Sequence, residues 1–278
     1  MTRSIKAPKL SIPKPLTLRL TEFHCVSLTL VGCGGTGSHI ASGLISIAQE
    51  LSSRNIATDI LFIDPDVVEP KNVGRQLFSQ ADVGKPKALA LAERVNAAFA
   101  VTVGYAVRKV DDLDKFGLEP PRNAREESEQ PLCVVVGAVD NASARRVVER
   151  NVRAADGRIW WLDAGNENHS GQVALGNWGG KIETRLGIVT RLPIPSAQHP
   201  DLLKAQKTKR THARSCAELS AEGVQGLMVN RMAAAWACAM LHDLLLGELR
   251  YISVSFDLAH GNARAVPLDM ETLKQFVG

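Results

Sequence analysis

The chain has 278 residues, 45% of them hydrophobic and 22% charged, with a formal net charge of +4. That is enough apolar sequence for the core of one large α/β domain and excludes a chain disordered overall; the charge is too small to argue for nucleic acid. Five cysteines, at 25, 33, 133, 216 and 238, form no Cys-x-x-Cys pair, so neither a disulfide framework nor a zinc knuckle is indicated and a reducing, cytoplasmic setting is expected. The first 20 residues are basic and proline-containing without an apolar run, so secretion and membrane insertion are not expected.

In chain order, the apolar run 25–31 reads as a buried strand that ends in Gly32-Cys-Gly-Gly-Thr-Gly37. Residues 38–50 follow with apolar side chains at helical spacing. Strand, glycine turn and helix N-terminus make a phosphate site: Gly32, Gly34, Gly35 and Gly37 let backbone N–H groups approach an anion, and the helix adds its unpaired N–H groups. Residues 58–64 read as a second buried strand running into an Asp64-Pro-Asp66 turn at the carboxyl edge of the sheet, where ligands of open α/β sheets bind. Asp64 lies 27 residues past Gly37, longer than the ~20 usual for the ribose carboxylate of a dinucleotide fold.

Residues 86–99 are predicted helical, 101–107 a strand, 117–131 a solvated loop, 132–137 a third buried strand, and 141–155 a helix. Strands are expected at 158–163, 170–175 and 182–190, the last ones antiparallel because short Gly-rich turns leave no room for crossover helices. Trp160 and Trp161 point to opposite faces of their strand, one expected in the core and one toward a helix or partner. Residues 191–215 form a long loop carrying Lys204, Lys207, Lys209, Arg210 and Arg214, with His199 and His212 as loop residues. A long apolar helix is predicted over 217–247, then a hairpin of 251–257 and 263–267. The fold class is therefore α/β, a Rossmann-like, doubly wound, mostly parallel sheet with an antiparallel C-terminal extension. The whole chain, 1–278, reads as one unit: a core at 24–190, a crossover loop at 191–215, and a helix and hairpin at 216–278.

The glycine turn alone fits many dehydrogenases. Discrimination comes from Asn72-Val-Gly-Arg75-Gln76, from Gly84-Lys-Pro-Lys87-Ala88 and from Asp140-Asn141 after the third buried strand. With the glycine turn and Asp64-Pro-Asp66 these five blocks, in this order, make residues 26–190 resemble the E1-like adenylating family of ThiF, MoeB, HesA and the ubiquitin-activating enzymes. The compact layout is similar to the ThiF-related members of PRTRC plasmid cassettes. The resemblance implies ATP and Mg²⁺ as cofactors. It gives Asp64 the ribose hydroxyls, Asn72, Arg75 and Lys87 the phosphates, and Asp140 the metal, with Arg75, Lys87 and Asp140 catalytic. Chemically, Arg offers a planar fork and Lys a point charge to phosphate, and a carboxylate is the hard oxygen ligand Mg²⁺ takes.

What the resemblance implies in activity is adenylation of the C-terminal carboxylate of a small β-grasp partner, a ubiquitin-like or sulfur-carrier protein ending in glycine, by an enzyme that is commonly a homodimer. A thioester step on Cys216 is the further expectation. Ser215-Cys-Ala-Glu218 has capping-box form, placing that thiol in the first turn of the long helix beside the basic run, where a thiolate is favoured. Cys25, Cys33, Cys133 and Cys238 read as core or strand residues. The chain departs from the family in lacking zinc Cys pairs and a recognisable N-terminal Arg helix, for which Arg19 is the nearest substitute. Two other readings stay open at this point: a catalytically reduced nucleotide-binding scaffold, and an NAD-binding oxidoreductase.

Overall fold

The computed structural model of the chain describes residues 15–20, 22–99, 101–110, 131–204 and 227–276. Cys216 with its Ser215 and Glu218 cap, the basic residues beyond Lys204, His212, the loop over 117–130 and the long helix before Leu227 lie outside the described residues.

Strand β1 (Thr17–Leu18) pairs with the short β8 (Ile188–Val189) in a small parallel sheet. The main sheet begins with five parallel strands: β2 (Cys25–Val31), β3 (Ala57–Ile63), β4 (Val103–Ala106), β5 (Leu132–Gly137) and β6 (Ile159–Asn166). Three antiparallel strands extend it, β7 (Ser170–Gly176), β9 (Tyr251–Asp257) and β10 (Asn262–Pro267). The spatial order is β10-β9-β7-β6-β5-β2-β3-β4. From β2 the chain moves outward through β3 and β4, then returns to the other side of β2 for β5 and β6. The gap between β2 and β5 is thus the topological switch point, where open α/β sheets bind ligands.

Both faces of the parallel strands are covered, which is why they read as continuous apolar runs. Helices α1 (Gly35–Ser53), α2 (Lys87–Phe99) and α5 (Leu227–Leu245) share one buried cluster with Leu28, Leu30 and Trp160. Helices α3 (Ala142–Ala154) and α4 (Pro195–Gln198) cover the other face, in a cluster with Val31, Val135 and Trp161. Trp160 and Trp161 do point to opposite faces, and both are fully in the core, at 2% and 0% exposure. A short helix α6 (Met270–Lys274), capped by the Asp269 side chain, closes the described chain.

Helix α5 buries Val229, Ala233, Ala237, Met240, Leu241 and Leu244, which recur at helical spacing along one side, so it is a one-sided helix. It lies along α1, with Gly35 meeting Asn230, Gly43 meeting Cys238 and Glu50 meeting His242. The three contacts advance together along both helices, so α1 and α5 run in the same direction and α5 approaches the sheet's carboxyl edge beside α1. Gly43 makes the approach possible, because a Cβ there would sit 2.3 Å from Cys238 Sγ.

Three expectations about local structure are revised. The strand over 182–190 shrinks to Ile188–Val189, because Leu186 and Gly187 adopt φ of 53° and 79° and Arg185 and Ile188 close a tight turn with reciprocal backbone bonds. Helix α1 starts at Gly35 rather than Ser38, so two glycines lie in its first turn. The stretch 195–203 is helical in short pieces rather than loop, since Pro195 and Pro200 sit at first-turn positions where the missing N–H costs nothing.

The glycines divide into those needed for space and those needed for backbone angle, and the two should respond differently. A Cβ on Gly37 would lie 1.8 Å from Gly32 O, whereas one on Gly84, at φ +88°, meets nothing within 4 Å. Gly84→Ala is expected to cost about 1–2 kcal/mol in urea unfolding, the left-handed penalty alone. Gly37→Ala is expected to cost about 3 kcal/mol or more, because backbone must move. A smaller loss at Gly37 than at Gly84 would rule out the close-packing account.

Candidate functional site

At the switch point β2 ends in Gly32, whose N–H donates to Ile63 O at 2.9 Å while Ala138 N–H donates to Val31 O at 2.8 Å. The four glycines then do separate things. Gly32 has φ +92° and a Cβ there would lie 2.6 Å from Ala138 O; Gly37 packs onto Gly32 O; Gly35 leaves room for Asn230, whose amide would be 2.7 Å from a Cβ. A Cβ on Gly34 meets nothing within 4 Å. Gly34 is the N-cap of the 19-residue α1 and brings no side-chain cap. An open, uncapped helix N-terminus facing the sheet edge is a cradle for an anion.

Asp64 follows β3 and is only 5% exposed. Its Oδ2 accepts from Cys33 N–H at 2.6 Å and its Oδ1 from Asp66 N–H at 2.8 Å, so the carboxylate holds the glycine turn in place. Each oxygen keeps a second acceptor site for a hydroxyl. Burial pushes its carboxyl up, and the Cys33 N–H bond and the Lys87 charge pull it back.

Lys87 is the first residue of α2, 8% exposed, with Nζ 2.9 Å from Asp66 Oδ2. The neighbouring Lys85 turns outward to Glu93 at 2.8 Å. Asn72 is buried at 2% and its Oδ1 accepts from Glu69 N–H, closing the turn Pro70–Asn72; its carbonyl accepts from Arg75 and Gln76 N–H. Asn72 thereby shapes the segment that carries Arg75, which is half-buried. Leu77 N–H donates to Ser38 Oγ at 3.1 Å, fastening that segment to the first turns of α1.

Asp140 lies beyond the end of β5, exposed, with Asn141 Nδ2 donating to its Oδ1 at 3.4 Å. Asn141 Oδ1, not Asp140, caps α3 by accepting from Ala144 N–H at 2.8 Å. Asp140 is therefore not the cap of α3. Among the described residues no three His, Cys, Asp or Glu side chains converge on a metal cage. Asp140 fits a Mg²⁺ held mostly by substrate phosphates and water, the usual arrangement for that ion.

Sequence reasoning missed two polar networks. Thr36 Oγ1 donates to Asn230 Oδ1 at 3.0 Å, and Asn166 Nδ2 donates to both Thr36 Oγ1 (2.8 Å) and Asn230 Oδ1 (2.6 Å). It joins α1, β6 and α5 across separations of 64 to 194 residues. The only sequence signal was an Asn on the mainly apolar side of α5. Under the edge, Arg145 Nε on α3 reaches both oxygens of the fully buried Asp163, at 3.1 and 3.2 Å, with the half-buried His199 close by. Burial raises the Asp163 carboxyl and Arg145 opposes it; burial holds the His199 imidazole below its usual range despite Asp163. Gly137 and Gly165 leave the space, since a Cβ there would approach Asp163 Oδ1 at 3.2 Å and Arg145 Nη2 at 3.1 Å.

The described cysteines are unsuited to nucleophilic work: burial pushes Cys133 and Cys238 up to about 11 and Cys33 well above its ordinary value. Cys25 is raised as well, by burial and Asp59.

A mostly parallel sheet with a glycine turn at its carboxyl edge and a switch point between β2 and β5 defines a doubly wound, Rossmann-like α/β fold. The ThiF family model matches residues 9–270, and the chain belongs to that family. Ubiquitin-like modifier-activating enzyme 5 of Dictyostelium discoideum is 28% identical over 155 residues, 54% of this chain and 38% of that protein. The corresponding enzyme of Drosophila ananassae is 27% identical over 143 residues, 50% of this chain and 33% of that protein. The matches thus span little more than a third of those relatives. The fold is also that of E. coli MccB determined with ATP (TM-score 0.55, 18% identity, 88% of this chain and 64% of that one) and of PaaA (TM-score 0.52, 18% identity, 87% and 73%).

Asn230→Ala leaves the Asn166 amide and the Thr36 hydroxyl without their shared acceptor, and is expected to destabilise by about 1–3 kcal/mol in urea unfolding. Less than about 0.5 kcal/mol would mean the network carries no weight. His199 adds a pH dependence. Its folded-state pKa is lowered from 6.5, so below that value the unfolded chain binds a proton that the fold does not, and stability falls as pH falls. Carboxylates with depressed pKa, such as Asp82, lose their contribution only at lower pH, in and below the ordinary carboxylate range. Between about pH 7.5 and 5.5 the thermal midpoint of His199→Gln should therefore fall less than that of the parent chain; equal falls would contradict it.

Proposed function

We propose that this protein adenylates the C-terminal carboxylate of a small protein with ATP. The observation that carries the reading is the uncapped α1 N-terminus at Gly34, open to the sheet edge, with Asp64 bonded to that turn through Cys33 N–H and Lys87 bonded to the neighbouring Asp66. Supporting it are membership of the ThiF family, the activating enzymes among the relatives, and the shared fold of MccB, which has been determined with ATP and with MccA.

In this reading the α1 N-terminus receives phosphate oxygens, and Asp64 accepts the ribose hydroxyls through its remaining lone pairs. Arg75 and Lys87 neutralise phosphate charge, Asn72 holds the Arg75 segment in place, and Asp140 would hold Mg²⁺, which would supply charge screening at the phosphates. The carboxylate oxygen of the partner attacks the α-phosphorus, a P–O bond forms, the bond to the bridging oxygen breaks, and pyrophosphate leaves. No general base is required, because the nucleophile is already ionised; the rate comes from positioning and from fixed cations. The partner is a glycine-ended carrier of the ubiquitin-like or sulfur-carrier kind, since a C-terminal glycine has no side chain to obstruct the approach. The thioester step belongs to the same proposal: the Cys216 thiolate would attack the acyl carbon and AMP would leave. The described cysteines, with their raised pKa values, are poor alternatives to it. A homodimer and a cytoplasmic setting complete the reading.

The test is ATP–pyrophosphate exchange with glycine-ended small proteins from the same genome. Lys87→Ala and Asp140→Ala should each lower exchange by about 10²–10³-fold while the chain stays folded, the usual loss of one positioned charge. Exchange that persists in both variants, or that no glycine-ended partner elicits from a chain that binds ATP, would sink the reading.

A further inference from the structure

One buried polar side chain of α5 has only half of its hydrogen-bonding capacity in use. Asn230 lies in the first turn of α5 as described and is 8% exposed. Its Oδ1 is fully engaged, accepting from Thr36 Oγ1 at 3.0 Å and from Asn166 Nδ2 at 2.6 Å. Its Nδ2 brings two N–H donors, and these meet no acceptor among the described residues. Burying the donor half of an amide with nothing to receive it is costly, and a ligand that accepts from it removes the cost.

The amide is laid against the first residue of α1. A Cβ on Gly35 would lie 2.7 Å from Nδ2 and 2.8 Å from both Cγ and Oδ1, so the amide group rests over Gly35 and only a glycine admits it. In the same turn the N-cap, Gly34, brings no side-chain acceptor to the helix, and a Cβ there would meet nothing within 4 Å. The free amide donors of Asn230 and the first-turn donors of α1 therefore stand side by side. The two bonds at Oδ1 decide which edge of the amide is offered: they oppose its turning over, leave Nδ2 for a ligand, and polarise the amide so that its N–H groups donate more strongly. A neutral donor adds to the anion affinity of the helix N-terminus without burying a charge that would need its own counter-ion.

We propose that Asn230 donates from Nδ2 to an oxygen of the nucleotide phosphate seated on the α1 N-terminus, and that Thr36 and Asn166 position it by holding Oδ1. Asn230 is then a binding residue supplied by α5, while Thr36 and Asn166 act only through it. The inference rests on the nucleotide site of the proposed function and not on the transfer step.

Nuclear magnetic resonance of the full chain labelled with ¹⁵N at asparagine, titrated with AMP and separately with adenosine, tests the contact. One side-chain amide proton of Asn230 should move downfield with AMP and not with adenosine, which has no phosphate. A signal that AMP leaves in place, or that adenosine moves as far, overturns the proposal; so does a parent chain that binds AMP no more tightly than adenosine. Asn230→Asp keeps the oxygen that Thr36 and Asn166 bind and removes the donor. In calorimetry it should weaken AMP about tenfold or more and adenosine by less than about twofold, because one hydrogen bond to a charged oxygen is lost. An AMP affinity within about twofold of the parent would also overturn the proposal. Should this variant not fold, the resonance experiment decides alone, since it uses the parent chain. Neither measurement needs a carrier protein. If no partner supports exchange while AMP still moves the Asn230 signal, adenylation fails and the phosphate contact stands; exchange with an unmoved signal gives the reverse.

Discussion

The close approach of two backbone segments at the switch point governs the rest of the structure. Gly32, Gly37 and Ala138 bring the end of β2, the first turn of α1 and the end of β5 to within a distance that no Cβ allows, 1.8 Å at Gly37 and 2.6 Å at Gly32. Because of that contact the helix starts at Gly35, ahead of its apolar pattern, and Asp140 follows the end of β5 at the same edge of the sheet. The sheet order then sets what else reaches the edge: β3 delivers Asp64 and Asp66, and the segment after it returns to deliver Arg75 and Lys87. Order and spacing of five short blocks in the chain are the linear trace of one crevice.

Two polar networks keep that crevice in shape from beneath and from the side. Asp163 and Arg145 form a buried ion pair under the edge, and breaking such a pair by removing one partner costs several kcal/mol because the other charge stays buried. Asn230, Asn166 and Thr36 tie α5 to the start of α1, so the C-terminal helix is joined to the glycine turn by hydrogen bonds and not by apolar packing alone. Apolar contact along Gly43 and Cys238 would permit the helices to slide; a directional network at one end fixes their register.

The parallel half of the sheet was legible in the sequence because strands buried on both faces are uninterrupted apolar runs, and α2, α3 and the C-terminal hairpin followed from periodicity and turn residues. Lys87 was separable from Lys85 only in three dimensions, where one is buried on Asp66 and the other pairs with Glu93. Asn72 shows a different limit: its place in a motif predicts a ligand contact, while its Oδ1 bond to Glu69 N–H shows a turn-forming role that spacing cannot reveal. The strand expected at 182–190 failed because an apolar alternation carries no information about a left-handed pair such as Leu186 and Gly187. Asn166 and Asn230, 64 residues apart, had no sequence signal linking them, since the bond between them exists only once β6 and α5 meet.

The charges at the edge sort by depth. Asp64 and Asp163 are buried, each has its carboxyl raised by burial, and each has a cation near it, Lys87 for the one and Arg145 for the other. Those deep charges compensate one another and set geometry. Nearer the surface the balance changes, because Arg75, Arg94 and Arg231 gather around one pocket and Asp82 is spent on Arg94 from behind. At the surface the signs are mixed, because Asp66 and Asp140 are exposed at the same edge and Asp66 meets the buried Lys87. Charges held in fixed positions stabilise a neighbouring charge with little reorganisation, so the rigidity of this edge matters as much as its charge.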